Sequence, residues 1–108
     1  MNRYVIAGAL ADAKAGKRVV LVGTGMSAYL GLVDHAPEVK RIMRANGNER
    51  MDFTSGGSIR LLDHRRGGIT PGLVADVIFL DADAAHTPRV LESAHVAAAA
   101  CNGEVIRA

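Results

Sequence analysis

The chain has a single cysteine, Cys101, no tryptophan, and only two tyrosines and two phenylalanines among its 108 residues. One cysteine excludes a framework of intrachain disulfides and suits a reducing compartment. With so few rings, the core must be built from Val, Ile, Leu and Ala. No apolar run approaches the roughly 18 residues of a membrane span. The Met1 end lacks a signal-peptide pattern, so a soluble cytoplasmic protein with no membrane partner is expected. Net charge is also small: the formal value is +2, too little to imply nucleic-acid binding by itself. Repeats, linkers and low-complexity stretches are missing apart from an alanine-rich segment near the C-terminus.

What is present fits one globular domain, 1–108, with a small aliphatic core. Apolar residues make up 49 % of the chain, which argues against disorder. Val5, Ile6, Ala9, Leu10 and Ala13 recur at helical spacing, so a helix is predicted over Tyr4–Ala15, with Gly16 at its end. Val19-Val20-Leu21-Val22 is a continuous apolar run, the mark of a strand buried on both faces of a parallel sheet. Helices are predicted over Ser27–His35 and from Pro37 to Ala45. Arg50–Phe53 and Ser58–Leu62 read as two strands joined by the turn Thr54-Ser55-Gly56-Gly57. Val77–Leu80 is another buried strand. Thr87 and Pro88 open a last helix to Cys101, Asn102-Gly103 cap it, and Glu104–Arg107 forms a final strand. The expected fold is α/β: a mainly parallel sheet flanked by helices, with one β-hairpin.

The order of short motifs carries a resemblance. Val39 to Gly47, Gly57-Ser58-Ile59-Arg60, Arg66-Gly67 and Asp76-Val77-Ile78-Phe79-Leu80-Asp81 together resemble the ATPase domain of bacteriophage terminase large subunits, a P-loop NTPase class, over roughly Tyr4–Ala84. The resemblance implies a P-loop-like fold, a phage protein working in the host cytoplasm, and Asp81 as the Walker-B-like acid that organises Mg²⁺. It also marks two departures. Ala82 stands where the family has its catalytic glutamate, and only Met1-Asn2-Arg3 precedes the first helix, where Gly-Lys-Ser/Thr belongs. Both departures imply a degenerate ATPase without hydrolysis, which needs no cofactor and acts by binding. The expected partners are a second copy (most simply a homodimer), a phage or host protein, or nucleic acid.

Several constellations offer other chemistry. Gly23-Thr24-Gly25-Met26-Ser27-Ala28 fits the G-x-G-x-x-A dinucleotide fingerprint, making Gly23, Gly25 and Ser27 a candidate nucleotide loop for a nucleotide-binding protein or an active NTPase using ATP and Mg²⁺. Its acidic ribose partner is expected about 20 residues on, whereas Glu49 and Asp52 lie further along. Asp81 and Asp83 are candidate ligands for a divalent metal, against the plainer reading of solvated residues at a strand end. From Lys40 to Arg66, seven cations against three acids leave a local surplus of +4. Lys40, Arg41, Arg44, Arg65 and Arg66 are therefore candidate contacts to nucleic-acid phosphates. The predicted helix over Pro37–Ala45 puts Lys40, Arg41 and Arg44 on one face, equally the pattern of a solvated helix.

Overall fold

A computed structural model describes residues 3–23, 37–44, 49–66, 69–70 and 72–107. Among these, six strands form one mixed, mostly parallel sheet flanked by helices, an α/β fold. The strands are β1 (Arg18–Gly23), β2 (Val39–Met43), β3 (Glu49–Phe53), β4 (Ser58–Asp63), β5 (Val77–Leu80) and β6 (Glu104–Arg107), in the order β2-β3-β4-β1-β5-β6. Parallel pairing joins β4, β1, β5 and β6, while β3 is antiparallel to both β2 and β4. The helices are α1 (Arg3–Lys14), the short α2 (Ala82–Ala85) and α3 (Pro88–Ala100). The predicted helix over Ser27–His35 lies outside the described residues.

The apolar run of β1 sits at the middle of the sheet, with Val19–Val22 at most 2 % exposed. Alternation divides its side chains between the two faces. Val19 and Leu21 pack with Ile59, Leu61, Val77 and Phe79 beneath Ile6, Ala9 and Ala13 of α1. Val20 and Val22 pack with Ile78 and Leu80 on the opposite face, beneath Ala94, Ala97 and Ala98 of α3. Alanine suits α3 twice over: it has the highest helix propensity, and its small side chain lets the helix lie close to the sheet.

The hairpin from β3 to β4 forms where the turn residues predicted it. It docks under the end of α1, where the Ser55 hydroxyl donates to Ala13 O at 2.6 Å. Gly57 N–H in turn donates to Ser55 Oγ at 3.2 Å. Gly16, at φ +94°, ends α1 in the left-handed region.

The Pro37–Ala45 helix is not formed: Val39–Met43 is an edge strand, β2. The cause is a bulge. Val39 faces Phe53, Arg41 faces Asp52 and Ile42 faces Met51, with the register shifting between Val39 and Arg41. The extra residue changes the parity of the strand, so Val39 and Ile42, three apart, share one face of the sheet. An i, i+3 apolar spacing thus arises without a helix. Lys40 and Arg41 project from this charged, bulged edge strand, a form that discourages edge-to-edge pairing.

Glu104–Arg107 pairs with β5 of its own chain. Among the described residues, no helix is long and apolar enough to cross a membrane.

Candidate functional site

In parallel α/β sheets, ligands collect beyond the carboxyl ends of the strands, where successive connections leave in opposite directions. Here that point lies around β1. The chain leaves β1 for the β2 edge, and leaves β4 for β5 on β1's other side. Gly23 at the end of β1 is in register with Asp63 at the end of β4. On the other side Val22 faces Leu80, and Asp81 N–H donates to Val22 O at 3.0 Å. Gly23, Asp63 and Asp81 therefore stand at one level across three adjacent strands. The rest of the candidate nucleotide loop, Gly25 and Ser27, lies outside the described residues.

Asp81 has a definite local task. It is the N-cap of α2, its Oδ1 accepting the Ala84 N–H at 3.0 Å. Ala82 is the first residue of that helix. Asp83 sits in the same turn, with its carbonyl accepting the Thr87 hydroxyl at 2.9 Å. Among the described residues, no group of three or more His, Cys, Asp and Glu side chains is placed to hold a metal ion.

Arg65 belongs to this end of the sheet. It follows β4 in a 3₁₀ turn, His64–Arg66, and pairs with Asp63, its Nη2 donating to Oδ2 at 3.2 Å. The hydrogen bond to Asp63 raises the Arg65 pKa, and the charges of Asp63 and Asp83 add to it. The Arg66 side chain is outside the described set. Asp81, Asp83 and Arg65 are thus brought together, while Lys40 and Arg41 lie away on β2, with Arg44 just past its end.

A second constellation spans the sheet face opposite α1. Register places Arg18, Ser58, Asp52 and Arg41 in one line across β1, β4, β3 and β2. The next line runs Val20, Arg60, Arg50 and Met43. Two adjoining hollows open on these lines: one of about 360 Å³ touches Arg18, Arg50, Ser58 and Arg60. The other, of about 270 Å³, touches Lys40, Arg41, Arg50 and Asp52. The sequence reading passed over Arg18 and counted Arg50 and Arg60 only toward the charge surplus from Lys40 to Arg66, not among the candidate contacts. Strand alternation in Arg50-Met51-Asp52-Phe53 and Ser58-Ile59-Arg60-Leu61 was the available signal, since the apolar partners fix which face the arginines take.

Arg18 also closes the amino end of the sheet. Its Nε and Nη2 donate to the two oxygens of Asp76, each at 3.0 Å, and its backbone N–H donates to Oδ2 at 2.8 Å. The guanidinium bonds, then the backbone bond, hold the Asp76 carboxyl at about 2, from an ordinary value of 3.8. A depressed folded-state pKa stabilises the fold above the unfolded value and is lost as pH falls through the folded one. The urea midpoint should therefore decline as pH drops from about 4 to about 2, and Asp76→Asn should flatten that decline. An unchanged profile in the variant would assign the acid transition to other carboxylates.

A third hollow, of about 550 Å³, lies between α3 and the segment before β5; Leu73, Val74, Val96 and Cys101 are among its lining residues. Val74 and Val96 are 49 % and 67 % exposed.

No protein-family model, curated protein or solved structure matches this chain.

Proposed function

We propose that this chain is a terminase-ATPase-like domain of phage origin that acts by binding and does not hydrolyse ATP. The observation that carries the reading is the state of Asp81. It follows a buried parallel strand, as the resemblance expects of a Mg²⁺-organising acid, yet its carboxylate caps a helix. Ala82, in the place of the glutamate that would activate water, is built into that helix. Phosphoryl transfer rests on positioning and electrostatic stabilisation, and a methyl group supplies neither.

Steady-state assays with ATP and Mg²⁺ should show no turnover. As a helix cap, Asp81 should be replaceable by Asn with little effect on stability, whereas Asp81→Ala should cost about 1 kcal/mol. Turnover in the parent chain that Asp81→Asn abolishes would overturn the proposal. Stabilisation against heat by ATP or NAD would instead favour a nucleotide loop at Gly23.

The binding reading includes self-association. β6 is the last strand of the sheet, and its Ile106 is 37 % exposed. Its outer edge offers backbone groups to a second copy. Light scattering at micromolar concentration should give the mass of a dimer; a one-chain mass that persists on concentration would exclude it.

A further inference from the structure

We propose that the hollow between α3 and the segment before β5 binds a small aliphatic molecule with a cationic end, its chain in the hollow and its charge against Glu92. The site is independent of any chemistry at Asp81.

The two walls of the hollow are fixed to the core. One is α3, a helix of 13 residues. The other is a turn in which Leu73 N–H donates to Thr70 O at 3.2 Å. Leu73 is buried and packs in the same cluster as Ala94, Ala97 and Ala98 of α3. The space between the walls exists because Ala97 and Ala100 line it. Longer side chains there would close it. Folding alone would favour them, since they would bury apolar surface that the alanines leave to water.

Size and lining set the class of ligand. A volume of about 550 Å³ falls within the roughly 300–1,000 Å³ of small-molecule sites. Among the described residues the large apolar side chains left exposed are Val74, Val96 and Ile106, and two of these three, Val74 and Val96, line the hollow. Exposed apolar residues scattered singly mean little, whereas apolar residues gathered at a concavity mark a binding surface. No aromatic ring is among the described lining residues. The walls therefore suit a flexible aliphatic body rather than a flat ring stacked on a face.

Charge sets the end group. Among the described lining residues, Glu92 is the one that carries a charge. It is exposed, and among the described residues no ion pair engages its carboxylate. The neighbouring hollow, which shares Gly72, Leu73 and Val74, differs in this respect. There Arg18 is held by Asp76 and Arg50 by Asp52. The charge still open to a ligand thus stands at the apolar hollow, and its complement is a cation.

The test is isothermal titration calorimetry of the full chain with hexyl-, octyl- and decylammonium, octanol and octanoate, each below its micelle-forming concentration. Octylammonium should saturate at one molecule per chain. Each buried methylene should raise affinity by up to about fourfold. Octylammonium should bind more tightly than octanol, and octanol more tightly than octanoate. Glu92→Gln should weaken octylammonium by about two- to fivefold, as for an exposed ion pair, and leave octanol unchanged. Ala100→Leu, which fills the hollow from the end of α3, should abolish binding without lowering the melting temperature. Val96→Lys, at an exposed position clear of the core, should weaken octylammonium at least threefold and leave octanoate no weaker. Three results would overturn the proposal: no saturable binding of octylammonium, octanoate binding as tightly as octylammonium, or the Ala100 and Val96 variants both binding octylammonium like the parent.

Discussion

Gly57→Ala should remove most of the stability of this protein. A Cβ at position 57 would sit 2.8 Å from Lys17 O and 2.9 Å from the carbonyl carbon of Ala13, and closer still to Ala13 O. All three atoms are backbone, so no side chain can swing aside. The methyl group would have to push the end of α1 away from the sheet. That movement would break the Ser55 bond to Ala13 O and the bond from Ser58 N–H to Lys17 O. A loss of about 4 kcal/mol or more is expected, at the extreme of single substitutions and a large share of the roughly 5–15 kcal/mol that holds a domain folded. Gly56→Ala is the control. Gly56 has φ +88° but open space around its would-be Cβ, so it should cost only the about 1–2 kcal/mol of left-handed backbone. Urea titrations followed by circular dichroism would separate the two. Equal midpoints for both variants would show that the packing of α1 on the turn is not what excludes a side chain at 57.

Leu21→Ala should be a strongly damaging core truncation on the α1 face. Leu21 is 2 % exposed, in the central strand, in register with Leu61 on one side and Phe79 on the other. Neither neighbour can move into the space without leaving its own strand position. The expected loss is about 2–5 kcal/mol, the transfer cost of the removed atoms plus that of the cavity. Val96→Ala, at a residue 67 % exposed, should change stability by less than about 0.5 kcal/mol. A Leu21→Ala midpoint within error of the parent would mean that the sheet collapses around the gap, contrary to the close packing of β1.

The contrast between β1 and β2 shows what the sequence made legible. β1 and β5 are apolar on both faces, and a run of that kind has few other uses, so their positions follow from the letters. The hairpin was legible because its turn residues are local. β2 was not, because the bulge at Lys40 gives a strand the apolar spacing of a helix. Nor could strand order be read, since β1 pairs with segments far along the chain and nothing local encodes that choice. The same limit hid the arginine-lined hollows: Arg18, Arg50 and Arg60 become neighbours only once β1, β4 and β3 are in register. At Asp81 the signal was present and outweighed. An Asp followed by Ala-Asp-Ala-Ala is also a helix start, but the preceding strand drew the reading toward a metal-organising acid.

The central place of β1 has a consequence for the chain during its synthesis. Val19–Val22 leaves the ribosome well before its partners Ile59–Leu62 and Val77–Leu80 are made. At about 5–20 residues per second, the interval is on the order of seconds. Through that time a β-branched, uncharged segment has no sheet to enter, and such segments aggregate readily. Lys17 and Arg18 stand immediately before it, charges of the kind that keep exposed strands apart. One of these gatekeepers, Arg18, is later taken up by Asp76. A residue that guards the nascent strand from other chains thus becomes, in the finished fold, a clasp between β1 and the start of β5.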